Sequence, residues 1–303
     1  MHQSPINTEL ASCNLCGEKE HRLLFPDKVL SISGRKGIVR CSNCGLVYSN
    51  IRLAETELFE SYASKQYPDP STDWTEGRKR AFLPYMEMLS QFRKTNTILD
   101  VGAGHGFFLA ACKDEGWNCQ GIEPSKQCRD FAGRKFNIHL SENTIESAGF
   151  EKESFDVITL WNVLSHLTNP QKTLANIFSL LRPGGAVVIR SPNAAFHVPA
   201  KKIFIILERI LPPLNPTVFH LYSFDNHTMS RMLDMVGFID IQVTPASLGW
   251  TTTPDASSGR LKRGISCLAE KISTGIFILT KKRSLFSPSM LSVGIKHGRK
   301  TRE

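Results

Sequence analysis

The sequence lacks a long apolar run and a leader of the secretory kind. Nowhere do 18 consecutive apolar residues occur, and the opening MHQSPINTELAS has no basic start followed by an apolar core. We therefore expect no membrane-spanning helix and no secretion signal. The expected location is the cytoplasm. Apolar residues make up 41% of the chain and charged residues 21%, which excludes a disordered or fibrous protein. The 303 residues are enough for roughly two domains.

The first two thirds of the chain also lack an excess of charge. The formal net charge is +9, yet residues 1–194 hold 22 basic and 21 acidic residues, whereas residues 195–303 hold 15 and 7. The first 60 residues are balanced, with seven of each sign. This asymmetry argues against nucleic-acid binding by the N-terminal segment, because such surfaces are strongly basic.

Four of the eight cysteines form two matching units, CNLCG at Cys13–Gly17 and CSNCG at Cys41–Gly45, with 24 residues between Cys16 and Cys41. Four thiolates satisfy tetrahedral zinc, and the glycine after each second cysteine permits a tight turn. A redox dithiol would need one CxxC near a βαβ pattern, which is not the context here. Four cysteine ligands leave no open position, so the predicted site is structural.

The other four cysteines lie singly in mixed or apolar sequence: Cys112, Cys119, Cys128 and Cys267. We expect them to be buried free thiols. Retained thiols are typical of a reducing compartment.

A second domain begins with helical spacing over 78–93, interrupted early by Pro84. Next, TNTILDVGAGHGFFLAACKDEG predicts a strand at Thr97–Val101, a glycine loop and a helix at Phe107–Glu115. The loop follows GxGxG, one residue short of the dinucleotide pattern GxGxxG. The carboxylate of Asp100 beside it would repel a pyrophosphate, so an amino-acid-bearing nucleoside fits better.

A second strand should end at Glu123, 21 residues after Gly102, where an acid can bind both ribose hydroxyls. The alternative for Glu123 is an ordinary solvated strand end. Further strands are predicted at Phe155–Leu160 and Ala186–Arg190, with helices between. Strands that alternate with helices predict an α/β fold with a parallel sheet.

The motifs ILDVGAGHGFF, GIEPS, FDVITLWNVLSHL and LLRPGGAVVI, in this order over 97–191, resemble those of class I S-adenosylmethionine-dependent methyltransferases. The preceding RCSNCGLVYSNIRLAETELFESY resembles the zinc-binding segment found before that domain in bacterial methyltransferases of sugar, surface-polysaccharide and secondary-metabolite pathways. HLYSFDNHTMSRMLDMVGF and SPSMLSVGIK resemble later parts of such chains. The resemblance implies a doubly wound, mostly parallel sheet of seven strands, with the last one antiparallel, and S-adenosylmethionine as cofactor.

The resemblance also implies roles for individual residues. Asp100, Gly102, Ala103, Gly104 and Gly106 would hold the methionine end of the cofactor, and Glu123 the ribose, with Pro124 and Ser125 beside it. The adenine contacts would be Thr144, Ile145 and Glu146. Trp161 and Asn162 would lie next to the transferred methyl group.

Three residues are candidates for a catalytic base or acceptor contact: His166, His220 and Tyr222. His166 follows the fourth strand, and the alternative is a histidine that orders a helix start. His220 and Tyr222 are the second choice, and each is also consistent with packing or capping. Ubiquinone-pathway O-methyltransferases carry two metal-binding acids near this point, where this chain has Asn162 and Ser165, so we expect no catalytic metal.

The predicted domains are a zinc-binding module at 1–60, a helical linker at 61–95 and a methyltransferase domain at 96–303, with lid-like insertions near 197–216 and 256–286. Both insertions are basic and roughly amphipathic. They are consistent with lids over an acceptor site, with peripheral contact to a membrane or lipid-linked substrate, or with ordinary packed helices.

The leading hypothesis is a methyltransferase for a small-molecule acceptor: a sugar, a glycolipid precursor or a natural-product intermediate. The alternatives are an RNA methyltransferase, a non-catalytic protein that binds zinc and S-adenosylmethionine, and a nicotinamide oxidoreductase. The neutral zinc segment shows no aromatic platform for stacking bases, which argues against RNA. The intact DVGAGHG loop argues against the non-catalytic protein, and the GxGxG spacing against the oxidoreductase.

Overall fold

The computed structural model describes residues 8–26, 37–65, 72–207, 220–246 and 285–298, with Tyr67, Pro70, Lys271, Gly275, Phe277, Leu279 and Thr280. Among these residues, no helix has the length and apolar character needed to cross a lipid bilayer.

The main sheet has six strands in the order β11-β12-β9-β8-β6-β7. Its strands are β6 (Thr97–Val101), β7 (Asn118–Ile122), β8 (Phe155–Trp161), β9 (Leu181–Pro192), β11 (Phe238–Pro245) and β12 (Ser289–Lys296). The pairs β7–β6, β6–β8 and β8–β9 are parallel, and β12 is antiparallel to both β9 and β11. All seven residues of β8 are buried, as expected of a central strand covered on both faces. The predicted mostly parallel sheet with an antiparallel last strand is therefore confirmed.

Among the described parts of the chain the main sheet has six strands, one fewer than the seven expected. Beside β7, where the seventh strand would lie, the chain makes a single parallel bridge between Ile122 and Ser141. The Ser141 N–H donates to the Gly121 carbonyl, and the Glu123 N–H donates to the Ser141 carbonyl, both at 2.9 Å. A turn follows at once, because the Thr144 N–H and the Ser147 N–H each take a partner inside that turn. The outer strand is thus reduced to one residue.

Helices cover both faces of the sheet: α4 (Phe107–Asp114), α5 (Lys126–Phe136), α6 (Pro170–Leu180), α7 (Ala194–Leu207) and α8 (Asn226–Val236). A short 3₁₀ helix, Leu164–His166, follows β8. Local sequence fixes the ends of α8, since Asp225 and Thr228 form a capping box and Gly237 ends the helix at φ +106°.

The helical spacing over 78–93 corresponds to two helices instead of one. These are α2 (Thr72–Arg80) and α3 (Leu83–Ser90). Pro84 lies in the first turn of α3, where its missing N–H costs nothing. In one continuous helix its ring would clash with the carbonyl four residues earlier, so the chain starts a new helix.

The N-terminal segment forms two small sheets and a helix. A two-stranded sheet pairs β1 (Thr8–Leu10) with β5 (Ile51–Leu53), and a four-stranded sheet has the order β10-β4-β3-β2. The latter contains β2 (His21–Pro26), β3 (Gly37–Cys41), β4 (Val47–Ser49) and β10 (Tyr222–Ser223). Helix α1 (Glu55–Ala63) follows β5. The strand β10 comes from far along the chain, which local sequence does not indicate.

The N-terminal segment shares a core with the main sheet. One continuous cluster of buried side chains includes Leu15 and Tyr48 of that segment and Ile158 and Leu160 of β8. The domain boundaries at 60 and 95 stay predictions, and the shared core shows that the first segment is packed on the rest.

The first lid-like insertion is partly described. Residues 194–207 form α7, and its residue Lys201 is 1% exposed. The neighbouring Lys202 is exposed. Lys201 therefore cannot present its charge to a membrane surface. Arg209 and the rest of the 197–216 insertion, and most of the 256–286 insertion, lie outside the described residues.

Candidate functional site

A cavity of about 720 Å³ lies at the carboxyl ends of β6, β7 and β8. This edge of a parallel sheet is where doubly wound folds bind ligands. Eight of the thirteen residues predicted to lie at the cofactor line the cavity: Gly102, Gly104, Glu123, Pro124, Thr144, Ile145, Glu146 and Asn162. The other five, Asp100, Ala103, Gly106, Ser125 and Trp161, are not part of its lining as described.

The glycine loop after β6 needs glycine for two different reasons. Gly102 has φ +71°, and a Cβ built there would lie 2.5 Å from Cγ2 of Val163. Gly104 has φ +54°, but a Cβ built there would meet no described atom within 4 Å. Since Gly104 lines the cavity, its missing side chain leaves room for a ligand to approach the backbone.

Glu123 fastens this loop to the end of β7. Its Oε2 accepts the Gly104 N–H and its Oε1 accepts the Ser125 N–H, each at 2.8 Å. Burial raises the pKa of Glu123, while these two hydrogen bonds and the charge of Arg129 oppose the rise. A carboxylate oxygen has two acceptor positions, so each oxygen of Glu123 keeps one further position for a hydrogen-bond donor.

Asp100 supports the site from within the sheet. Its side chain is 2% exposed, and its Oδ1 accepts the Thr159 hydroxyl at 2.6 Å. Burial raises the pKa of Asp100 well above its usual range, which the Thr159 hydrogen bond only partly opposes. In this geometry Asp100 joins β6 to β8 beneath the glycine loop.

Trp161 and Asn162 end β8 with opposite orientations. Trp161 packs in an aromatic cluster, with ring centroids 5.0 to 5.3 Å from those of Phe82, Tyr85 and Phe108. Asn162 faces the cavity with φ +61°, a strained conformation for a residue other than glycine. The buried Arg190 holds it there, because its Nη1 donates to Asn162 Oδ1 at 3.0 Å.

His166 lines the same cavity and is paired with a tyrosine. The Tyr62 hydroxyl oxygen and His166 Nδ1 are 2.7 Å apart, and both residues line the cavity. The ring of His220 is 3.8 Å from that of His166, although His220 is not part of the described lining. The structure thus brings both predicted histidines together and adds Tyr62, which the sequence did not indicate.

Tyr222 is held away from the cavity. Its hydroxyl donates to the Thr168 carbonyl at 3.1 Å and accepts Arg52 Nη1 at 2.5 Å. Burial raises the pKa of Tyr222, so the hydroxyl keeps its proton. Tyr222 is not part of the described cavity lining, and its ring stacks on those of Tyr48 and Phe224, with centroids 6.3 and 6.2 Å away.

Helix α1 covers the cavity, which sequence reasoning missed. Leu58, Phe59 and Tyr62 line the cavity, yet no residue of α1 is fully buried and Phe59 is 37% exposed. A helix that turns apolar side chains toward a cavity gains burial when the cavity fills. The sequence signal was the spacing of these three residues within ETELFESYA.

The four predicted zinc ligands lie together. The Sγ atoms of Cys13, Cys16, Cys41 and Cys44 are all within 4.8 Å of one another, and the pairs Cys13–Cys44 and Cys16–Cys41 are 3.4 and 3.5 Å apart. Zinc–sulfur bonds of about 2.3 Å in a tetrahedron place sulfurs roughly 3.8 Å apart, so this donor set fits zinc.

Electrostatics also favour a cation among these sulfurs. Burial raises the pKa values of the Cys13 and Cys44 thiols, which disfavours buried thiolates without a positive partner. At Cys41 burial acts in the same direction, but N–H groups of Cys44 and Asn43 and the neighbouring thiols outweigh it and lower the pKa to about 7. Backbone N–H groups thus face the sulfurs, as the CxxCG turns predict.

The comparisons with known proteins agree with this geometry. The family model of a methyltransferase domain matches residues 74–243, more than half of the chain. The ubiquinone biosynthesis O-methyltransferase of Coxiella burnetii is 30% identical over 108 residues, which are 34% of this chain and 46% of that protein. The tRNA U34 carboxymethyltransferase of Pseudoalteromonas translucida is 34% identical over 127 residues, which are 40% of this chain and 37% of that protein. The chain thus spans less than half the length of these curated relatives.

A solved structure supports the fold alone. The structure of Haemonchus contortus phosphoethanolamine N-methyltransferase 2, in complex with phosphomonomethylethanolamine and S-adenosylhomocysteine, superposes with a TM-score of 0.52 at 15% identity. The match covers 82% of this chain and 62% of that one. The class I methyltransferase fold implied by the sequence motifs is confirmed.

Proposed function

Because the chain belongs to the methyltransferase-domain family, we propose that it transfers a methyl group from S-adenosylmethionine to a small-molecule acceptor. The acceptor class we propose is a sugar, a glycolipid precursor or a natural-product intermediate. The observation that carries the proposal is one continuous cavity with the Glu123 carboxylate on one wall and the Tyr62–His166 pair on another.

The residues of the cavity fit the cofactor. Glu123 would hold the ribose with its remaining acceptor positions, while Gly104 leaves space for the methionine end. Thr144 and Ile145 would contact the adenine, and Asn162 would lie near the reacting methyl group. Asp100 and Trp161 would act from behind the lining, by holding the loop and the end of β8 in place.

Bound S-adenosylmethionine would supply a methyl group on a positively charged sulfur. The chain's residues then have to place the acceptor atom in line and within about 3–3.5 Å, which is where most of the rate enhancement arises. Helix α1 would exclude water from the site by covering it. His166 would take the acceptor's proton where the acceptor has one to lose.

The lining of the cavity suits a small, partly polar acceptor. Phe59 and Tyr62 offer apolar ring surface, and Glu55 and Lys172 offer charged groups at the same cavity. The two acids with which ubiquinone-pathway O-methyltransferases hold a metal are replaced in this chain by Asn162 and Ser165, so the reaction we propose uses no metal at the acceptor site.

We further propose that the four cysteines bind one structural zinc ion. The support is the sulfur spacing given above together with a full set of four protein ligands. Four ligands leave no position for substrate, so the ion would stabilise the N-terminal segment and take no part in methyl transfer.

An RNA acceptor is the alternative that the stretch shared with the tRNA enzyme favours. A screen of metabolite extract with radiolabelled S-adenosylmethionine separates the two. We expect label in a small-molecule fraction that resists nuclease. Label that nuclease removes would favour RNA, and cofactor binding without any labelled product would favour a non-catalytic protein.

Replacing Glu123 with glutamine should weaken S-adenosylhomocysteine binding by about 1.5–3 kcal/mol, or roughly 10- to 150-fold. An amide has one acceptor oxygen, so either the Gly104 N–H or the Ser125 N–H would face an NH₂ group. Since burial raises the pKa of Glu123, wild-type affinity should also fall on acidification at a higher pH than for an exposed glutamate. Calorimetry measures both effects.

The control for this substitution is Glu151→Gln, which alters an exposed carboxylate that is not part of the described lining. Its affinity should equal that of wild type at every pH. Equal affinities for Glu123→Gln and Glu151→Gln would refute the ribose assignment.

Replacing Gly104 with leucine should abolish cofactor binding, because the new side chain would enter the cavity. A matched control is Gly149→Leu, since Gly149 also has a positive φ, +68°, with open space around its Cβ position. Each substitution costs about 1–2 kcal/mol of backbone strain. We expect the two variants to have similar melting temperatures, with cofactor binding lost only in Gly104→Leu. Full cofactor binding by Gly104→Leu would show that the cofactor lies elsewhere.

A further inference from the structure

The first cysteine loop contacts the cavity wall through the side chain of Asn14. Its Nδ2 donates to Asn169 Oδ1 at 3.0 Å, and its Oδ1 accepts the backbone N–H of Gln171 at 3.0 Å. Asn14 lies between two of the clustered cysteines, Cys13 and Cys16. The side chain thus joins the proposed zinc site to the start of α6.

These contacts complete the cap of α6. The helix begins at Pro170, which has no N–H, after the N-cap residue Asn169. The N–H of Lys172 is accepted by Asn169 Oδ1, and the N–H of Gln171 by Asn14. The first N–H groups of a helix have no hydrogen-bond partner within the helix. Asn169 caps only one of these two N–H groups, and Asn14, which belongs to another segment, caps the other.

The start of α6 borders the cavity. Asn169, Lys172 and Thr173 line the cavity, whereas Gln171 is not part of its described lining. Thr173 Oγ1 donates to Oε1 of Glu146, a predicted adenine contact, at 3.3 Å. The N-terminal segment holds the same wall at a second point, since Arg52 Nη1 donates to the Thr168 carbonyl at 2.8 Å.

We propose that Asn14 is a positioning residue for cofactor binding, and that through it the occupancy of the four-cysteine site is coupled to cofactor affinity. The proposal rests on the proposed function, because the ligand of the cavity is taken to be the cofactor. Without the cap, the wall must be ordered when the ligand binds, and that ordering lowers affinity. The coupling is reciprocal, so a bound cofactor also stabilises the metal-bound loop.

The first test compares Asn14→Ala with Asn43→Ala. Asn43 is an asparagine of the second cysteine loop, exposed, and no described residue receives a hydrogen bond from its side chain. Calorimetry with S-adenosylhomocysteine should show affinity about fivefold to thirtyfold lower in Asn14→Ala, the effect of one lost cap, and unchanged in Asn43→Ala. Elemental analysis should show one zinc per chain in both. Asn14→Asp, which keeps an acceptor for the Gln171 N–H, should bind more tightly than Asn14→Ala.

The second test measures zinc release to a chelator. S-adenosylhomocysteine should slow release from wild type and Asn43→Ala but not from Asn14→Ala, a difference that a general loss of stability would not produce. Equal affinities in Asn14→Ala and Asn43→Ala, or equal affinities in Asn14→Asp and Asn14→Ala, would overturn the proposal, as would loss of zinc from Asn14→Ala. If wild type itself fails to bind S-adenosylhomocysteine, both the proposed function and the role of Asn14 fail. If wild type binds it and only the differences between variants are missing, the role of Asn14 alone fails.

Discussion

Replacing Cys41 with serine should remove the metal and unfold the N-terminal segment while much of the central sheet stays folded. Cys41 Sγ accepts the Cys44 N–H at 3.4 Å and lies 3.5 Å from Cys16 Sγ, so serine would break both the turn and the ligand set. Structural zinc sites contribute about 10–16 kcal/mol of folding free energy in small modules. The short strands β2, β3 and β4 cannot replace that contribution by burial alone.

Elemental analysis and hydrogen exchange measure this outcome. We expect less than one zinc per chain, fast exchange at the amides of β3, and slow exchange retained at those of β8. The control is Cys119→Ser, since Cys119 lies in the main domain, outside the cluster. A wild-type protein without metal after purification under reducing conditions would contradict the zinc assignment, as would protected β3 amides in Cys41→Ser.

The parts of the fold that local sequence could predict are those whose pattern is local. Thr97–Val101 is a run of β-forming residues before glycines, and the structure has β6 at the same residues. The predicted helix begins at Phe107, because Gly106, the last of the three loop glycines, lies directly before it with a left-handed backbone. Helix α8 begins at Asn226 because Asp225 and Thr228, residues close in sequence, form its capping box.

The parts that could not be predicted depend on contacts between distant residues. The two residues of β10 form a strand only because Tyr222 pairs with Tyr48 of β4, and nothing near Tyr222 in the sequence indicates that partner. Likewise, the outer strand shrinks to one bridge because the turn that follows Ser141 satisfies its own donors. Lys201 is buried by packing of α7, which a count of charges cannot show.

The same distinction applies to the candidate site. The glycine loop and Glu123 can be predicted from their spacing in the sequence. Each follows one of two neighbouring parallel strands, so both lie at the same edge of the sheet and come within hydrogen-bond distance. Helix α1, with Tyr62 as the partner of His166, and the cap that Asn14 supplies to α6 come from the N-terminal segment. Their placement follows from how that segment packs on the sheet, so a motif search limited to 97–191 misses them.

The rate of methyl transfer should fall by about 10²–10⁴-fold in His166→Ala while cofactor affinity stays nearly constant, if the acceptor loses a proton to His166. For Nε2 to accept that proton, Nδ1 must carry the ring's own hydrogen, which it would donate to the Tyr62 oxygen 2.7 Å away. Tyr62→Phe removes this acceptor and should lower the rate by up to about tenfold, the value of one hydrogen bond. In this proposal Tyr62 selects the tautomer and His166 accepts the proton.

The pH profile and two matched variants separate this role from a structural one. Only neutral imidazole accepts a proton, so the wild-type rate should rise with pH through the titration of His166, and this rise should vanish in His166→Ala. His139→Ala, at an exposed histidine outside the described cavity lining, should leave rate and profile unchanged. His220→Ala removes the ring 3.8 Å from His166 and should change the rate less than His166→Ala does. A normal rate per folded molecule in His166→Ala, or a larger loss in His220→Ala, would show that positioning alone or His220 serves the acceptor.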